Sequence, residues 1–371
     1  MSAHRVIVIG SGISGAAAAF AFARRGVAVS IVDSAEPGQA TAASAGIISP
    51  WTSTSDGPFY DLYAAGGAYY PELMELLAEA GIERTDYRRT GSLVVSADEA
   101  KLHEVQARIE ARAAKAGPVA GVVQRLGNAE TRELFPVLAP DLEAVFISGG
   151  GRVDGRTLRD ALLSAAAGHG AVSISGRARL LPRAQGTPGV EVDGSLLEAD
   201  EVVVAAGAWV NELLVSLGKR VDVEPQRGQI THLRAEGTDT SRWPTVSALS
   251  DHYLVAFDDS RIAVGATRET GSGFDPRVTA DGQRRVLNDA LSIAPGLRDA
   301  TFIETRVGLR PLPSDGQPAI GPLPGHDHLH VLSGFGAAGL TMGPFAGDCL
   351  ARAILDNEVV AEIAAFVPGS N

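Results

Sequence analysis

A chain of 371 residues, 45% hydrophobic and 20% charged, has room for about two domains and is too apolar to be disordered. Its 32 Lys and Arg against 44 Asp and Glu leave a net charge of −12. That balance disfavours nucleic acid and anionic membrane surfaces as partners, because both require a basic patch. The one cysteine, Cys349, excludes an intrachain disulfide and a cysteine-built metal site, and it points to a reducing, cytoplasmic setting.

Residues 6–23 carry no charge and are flanked by Arg5 and by Arg24 and Arg25, which meets the lower edge of a membrane span. Gly10, Gly12 and Gly15 interrupt the run, so a strand, a turn and a helix explain it better. Residues 5–9 are β-branched and read as a buried parallel strand. Gly10-Ser-Gly12-Ile-Ser-Gly15 follows at once, then a helix former over 16–25 stopped by Gly26. Residues 27–32 read as a second buried strand, with Asp33 at its end. This is a dinucleotide-binding pattern. Gly10 makes the tight turn, Gly12 lets the backbone approach a pyrophosphate, and Gly15 lets the helix pack close on the strand. Ile13 and Ser14 open the helix whose N-terminus faces the phosphate charge. Asp33 stands where a carboxylate accepts from a ribose hydroxyl, with Ser34 beside it.

A nicotinamide enzyme continues with alternating strands and helices, and this chain does not. Residues 37–50 are a run of small residues that includes Ala40, Thr41, Ala45 and Gly46, with the apolar Ile47 beside them. Small side chains permit close approach of backbone to a flat, extended ligand. Helices are expected over 71–80, with Leu73, Met74, Leu76 and Leu77 on one face, and after a Ser96-x-x-Glu99 capping box. Another is expected over 157–167, closed by Gly168. Short strands then recur at 172–175, 178–181, 190–192, 201–205, 230–233, 253–256 and 261–265. Near the end, a strand at 330–333 runs into a second glycine-rich junction that contains Gly336, Ala338, Gly339, Leu340 and Thr341, and a helix is expected over 344–355. His326, Asp327, His328 and His330 suggest a metal site by strand spacing, but they sit at a Pro-Gly turn entering a strand with no further acidic or cysteine ligand in the motif, so they read as turn histidines. No serine lies in a nucleophile elbow.

Five motifs now stand in order: 10–15, the loop 41–50, the segment 202–209 with Ala206, Gly207 and Trp209, the segment 308–321, and 334–347. Together they resemble the FAD-dependent amine and D-amino-acid oxidoreductases, a superfamily that includes D-amino-acid dehydrogenase, glycine oxidase and sarcosine oxidase. Ala45-Gly46 and 339–342 are most similar to D-amino-acid dehydrogenases, and 252–267 is equally similar to glycine oxidase.

The resemblance implies an α/β (α+β overall) fold. A Rossmann-like FAD-binding domain would be built from 1–75, 145–215 and 300–371. A substrate domain with a mixed, largely antiparallel sheet and helices would take 76–144 and 216–299. It implies FAD as cofactor and oxidative deamination of a small amino acid, of D configuration. Hydride would pass from the α-carbon to flavin N5, giving an imino acid and then a 2-oxo acid and ammonia. Arg310, in an apolar stretch, would bind the substrate carboxylate, and Tyr253 would assist.

The departures are informative. Ala337 stands where glycine oxidase carries a second arginine, and Arg268 where it carries a methionine. Arg268 fits either an acidic substrate side chain or a surface strand position. Alignment places Ala263 where sarcosine oxidase has its oxygen-activating lysine, which points toward a dehydrogenase that uses a quinone or dye. No cysteine stands near the Arg310 motif, which implies non-covalent FAD. The partners implied are a small amino acid or amine and a quinone, dye or oxygen acceptor. Nucleic acid and an integral span are not expected, although peripheral membrane association is allowed. Competing readings are a glycine or sarcosine oxidase that releases hydrogen peroxide, a non-catalytic FAD-binding protein, and a nicotinamide dehydrogenase.

Overall fold

A computed structural model of the protein describes residues 4–183, 186–357 and 359–369. The uncharged N-terminal run is a strand, Arg5–Ile9, a turn, and a helix, Ile13–Ala23. All eleven residues of that helix are buried, so it is covered on every side by protein. Alanine makes this possible, since a thin helix lets neighbours come close. A Cβ on Gly347 would lie 2.8 Å from the Ala18 nitrogen, which measures how near the helix Gly339–Asp356 runs. Among the described residues no helix is long and apolar enough to cross a membrane.

Arg5–Ile9 lies inside a six-stranded sheet. The strand order is Ala319–Leu323, His326–Ser333, Glu201–Val204, Arg5–Ile9, Ala28–Asp33 and Val172–Ser175. All pairings are parallel except that of the first two strands. Its two central strands, Glu201–Val204 and Arg5–Ile9, are rich in Val and Ile and bury every residue except Arg5, as parallel strands covered on both faces must. A nine-stranded sheet forms the other half. Its strands run from Glu269–Thr270 through Glu224–Arg234, Arg261–Gly265, Tyr253–Ala256, Thr245–Ala248, Ser92–Ser96 and Glu143–Ile147 to Val123–Leu126. Thr301–Leu312 adds to the other edge of Glu224–Arg234. Only Ser92–Ser96 with Thr245–Ala248 is parallel. This is the mixed, largely antiparallel sheet expected. Thr301–Leu312, expected with the cofactor part, hydrogen-bonds here instead.

Several local expectations are corrected. The helix expected over 71–80 runs from Gly57 to Glu79, with Pro71 inside it. Pro71 and the pair Gly66-Gly67 read as breakers, but tertiary packing overrides them. Tyr70 and Leu73 are buried, and a Cβ on Gly66 would lie 2.4 Å from the Thr341 carbonyl oxygen, so the glycine lets two helices touch. The cap of Glu99–Ala116 is Asp98, which accepts from the Lys101 amide at 3.1 Å, rather than Ser96, which accepts from the Asp98 amide. The helix expected over 344–355 starts at Gly339, with Pro344 inside it; the Leu340 carbonyl that its missing N–H leaves free accepts from the Tyr70 hydroxyl at 2.6 Å. The three histidines lie within the strand His326–Ser333, not in the turn before it. His328 and His330 meet the Glu201 carboxylate at 2.9 and 2.8 Å, and that contact holds the His328 pKa above its ordinary value. Cys349 is fully buried in Gly339–Asp356, and burial raises its thiol pKa to about 11.

Gly15 offers a test of the packing. A Cβ there would sit 2.0 Å from the Gly10 carbonyl oxygen, whereas one on Gly168 meets nothing within 4 Å. Gly15→Ala is expected to destabilise the fold by about 1–3 kcal/mol, and Gly168→Ala to be neutral or mildly stabilising. Thermal unfolding of the two variants checks this.

Candidate active site

The carboxyl ends of the six-stranded sheet open into a cleft of about 1260 Å³ that continues across one face of the nine-stranded sheet. Clefts of this kind form outside strand ends, where loops separate. Its size exceeds the usual range for a small-molecule pocket and suits a dinucleotide with a substrate beside it.

At one end lies the glycine turn. Gly10 has φ +107°, and a Cβ on it would be 2.4 Å from the Ala205 oxygen, so only glycine fits. Gly12 is different, for a Cβ there would meet only Thr41 Oγ1 at 3.4 Å and would otherwise project into the cleft. Ile13 donates its amide to Thr41 Oγ1 at 3.0 Å, which ties the helix start to the small-residue loop. Ser14 completes this wall. The N-cap residue Gly12 offers no side-chain cap, so beyond the Ile13 amide the helix N-terminus is presented to the cleft, as an anionic linkage requires. Asp33 lines the cleft and fixes the turn. Its Oδ2 accepts from the Ser11 amide at 2.6 Å and the Ser11 hydroxyl at 2.8 Å, and its Oδ1 accepts from Ala35 and Gln39. The ribose role expected for Asp33 therefore competes with four protein donors.

The middle is walled by small residues. Ser34, Ala40, Ala45, Gly46 and Ile47 line it from the first loop, and Ala206, Gly207 and Trp209 from the second. Gly336, Ala338, Gly339 and Leu340 close it from the third. Gly207 and Gly336 again present bare backbone, since a Cβ on either would meet nothing within 3.5 Å. Two expected cofactor residues do not line the cleft. Gly15 lies behind it, against the Gly10 carbonyl, and Thr341 is buried with its hydroxyl on the Ile47 carbonyl at 3.3 Å. Both support the wall from the rear. A bare-backbone trough that begins at a helix N-terminus fits a long, flat dinucleotide with an internal pyrophosphate.

At the far end, Tyr253, Arg268 and Arg310 all line the cleft. Arg310 Nη1 donates to the Thr267 carbonyl at 3.0 Å, and the rest of the guanidinium lies over Gly228. A Cβ on Gly228 would come within 2.4 Å of Nη2. Burial pulls the Arg310 pKa down from its ordinary value, while the neighbouring Tyr253 opposes that shift. The Tyr253 hydroxyl is raised by the same burial, so it stays protonated and can donate. Among the described residues Arg310 has no carboxylate partner. Arg268 is half exposed and pairs with the exposed Asp251 at 3.0 Å. Ala337 lines the cleft, but Ala263 is a core residue packed with Ile230, Val255 and Phe257. Ala263 is fully buried, yet it shares the sheet face of Ile230 and Tyr253, which line the cleft.

Sequence reasoning missed Gly228, whose signal was a lone glycine within an eleven-residue strand. It also missed Val94, Arg108, Phe59 and Tyr63, which line the outer wall and come from helices and strands with no local motif.

The profile of the FAD dependent oxidoreductase (DAO) family matches residues 5–353. An uncharacterized oxidoreductase of Bacillus subtilis, YurR, is 43% identical over 98% of both chains. The crystal structure of iminodiacetate oxidase (IdaA) from Chelativorans sp. BNC1 superposes with a TM-score of 0.95 at 47% identity, covering 98% of this chain and 99% of the other. That of glycine oxidase from Geobacillus kaustophilus gives 0.86 at 28% identity, covering 99% of each.

Proposed function

The chain belongs to the FAD dependent oxidoreductase family, and on that premise we propose that it oxidises the C–N bond of a small amino acid carrying two carboxylates. The observation that carries this reading is the Arg310 guanidinium, which opens to the cleft beside Tyr253 with no carboxylate of its own. A planar cation with free donors in a confined site binds a carboxylate in a fixed orientation. Tyr253 adds a donor to the same group. Arg268 supplies a second cation whose partner, Asp251, is exposed and can be exchanged for a substrate carboxylate. The 47% identity to iminodiacetate oxidase supports a substrate of that shape.

The cofactor is FAD, and when bound it supplies the two-electron acceptor. We assign it the trough from Gly10 and Gly12 to Gly336, held without a covalent bond, because the one cysteine is buried in a helix away from the cleft. The protein's part is to orient the substrate through Arg310 and to exclude water with the apolar wall. The amine loses two electrons and two protons, and water then cleaves the imine. Iminodiacetate would give glyoxylate and glycine, with oxygen taking the electrons as hydrogen peroxide. A D-amino acid is the second reading, suggested by the motifs at 45–46 and 339–342. It would use Arg310 alone and leave Arg268 on Asp251.

We further propose that residues 1–75, 145–215 and 300–371 serve the cofactor and that 76–144 and 216–299 serve the substrate. Thr301–Leu312 is the element shared between them, because it joins the nine-stranded sheet and carries Arg310.

Five outcomes are expected. The purified protein is yellow, and acid precipitation releases the flavin into the supernatant; flavin retained in the pellet would indicate a covalent bond. Arg310→Ala raises KM about 100-fold or more with FAD still bound, as loss of a charge-assisted bidentate pair implies. Gly228→Ala, which pushes on the guanidinium, raises KM by a smaller factor. Arg268→Ala weakens iminodiacetate and leaves glycine or D-alanine unchanged, as steady-state kinetics with peroxide detection would reveal. Finally, kcat/KM rises with pH toward the substrate amine pKa. Arg310 stays charged, and burial holds Tyr253 above 10, so neither site group titrates across pH 6–9.

A further inference from the structure

Four arginines line the cleft: Arg108, Arg177, Arg268 and Arg310. Arg177 is paired with Glu36, and Arg268 with Asp251. Arg310 lies at the inner end. Arg108 remains, with no ion pair among the described residues and with a buried Nε that has no hydrogen-bond partner. Burial and the neighbouring Arg112 both work against its charge.

The neighbourhood explains why Arg108 is left unpaired. Arg112 is one turn further along the helix Glu99–Ala116, buried, and stacked on the Tyr60 ring at 3.9 Å. It already takes the Ser53 and Ser55 carbonyls and the Asp56 carboxylate, while Asp56 and Glu104 are the neighbouring carboxylates that favour the Arg108 charge. Arg108 therefore adds positive charge to the cleft wall beside the exposed 53–56 loop.

Its distance from the chemistry follows from the sheet. Val94 pairs with Ser247 in register, and Ser247 pairs with Tyr253. Two strand spacings put Val94 about 10 Å from Tyr253. The helix that carries Arg108 packs its Val105 and Ile109 onto Val94. Arg108 thus stands at the outer end of the wall, beyond the reach of a small substrate seated at Arg310. It also stands on the nine-stranded sheet, away from the glycine turn of the six-stranded one.

The chain as a whole carries −12, so an anionic substrate approaches against repulsion. We propose that Arg108 is the entry residue of the cleft: it draws an anionic substrate through the outer opening and passes it inward to Arg268 and Arg310. This deepens the reading above and rests on it only in that the substrate is an anion.

The test is rapid mixing of oxygen-free holoenzyme with iminodiacetate, followed by flavin bleaching. Arg108→Gln is expected to lower the second-order constant roughly 5- to 10-fold at low ionic strength. The variant should merge with the native enzyme at 1 M salt, where the screening length is about 3 Å. The limiting rate at saturation and the FAD dissociation constant should not move, and Arg108→Lys should stay within about twofold of the native enzyme. Equal constants at low salt, a deficit that persists in salt, or a lowered limiting rate would each overturn the proposal. If iminodiacetate does not bleach the native enzyme, the substrate reading fails on its own. The arrival of benzoate, seen as a shift of the flavin band, then tests Arg108 in the same variants with the same criteria.

Discussion

A guanidinium enclosed by protein with no carboxylate beside it is costly, and its cost falls when an anion arrives. Arg310 is that group, and much of the surrounding structure exists to hold it. Gly228 gives up its side chain so that the guanidinium can lie flat on the strand Glu224–Arg234. The Thr267 carbonyl fixes one nitrogen and leaves the others free. Tyr253 stands beside it from the next hairpin. An aspartate at this point would neutralise the site and end its use; a neutral tyrosine does not.

The second constraint is flatness. The cofactor trough is walled by backbone because side chains would fill it, and three separate loops supply that backbone. They converge only because the six-stranded sheet places the ends of Ala28–Asp33 and Glu201–Val204 on either side of Arg5–Ile9, with His326–Ser333 next to Glu201–Val204. The all-buried alanine helix Ile13–Ala23 then lets Gly339–Asp356 approach from behind, with Gly343 and Gly347 at the closest points. Site and core are therefore one packing problem. Residues such as Gly15 and Thr341 act on the site by supporting its wall.

How much of this was legible in the sequence depends on the range of the interaction. The glycine turn with Asp33 is a local pattern, and it was read correctly as strand, turn and helix. Arg310 stood out because a charge in an apolar strand needs a partner. The helix Gly57–Glu79 was truncated because Pro71 and the glycines Gly66 and Gly67 are breakers by propensity, while their use in a helix crossing is a property of the folded chain. Asp98 displaced Ser96 as a cap because two candidates stood two residues apart. Ala263 shares the sheet face of Tyr253 and Ile230; that it is fully buried there depends on packing across the sheet, which an alignment of letters does not carry. Arg108 had no motif at all; only the fold shows that Arg112 has taken the Ser53 and Ser55 carbonyls and the Asp56 carboxylate.

The central claim is that the charge of Arg310 is completed by the substrate and not by the protein. A crystal structure of the FAD-bound protein grown with malonate, an unreactive dicarboxylate, tests it most directly. The account predicts one malonate carboxylate on the free nitrogens of Arg310 and the Tyr253 hydroxyl, with the other turned toward Arg268. A malonate bound elsewhere, with Arg310 swung onto a protein carboxylate, would contradict it.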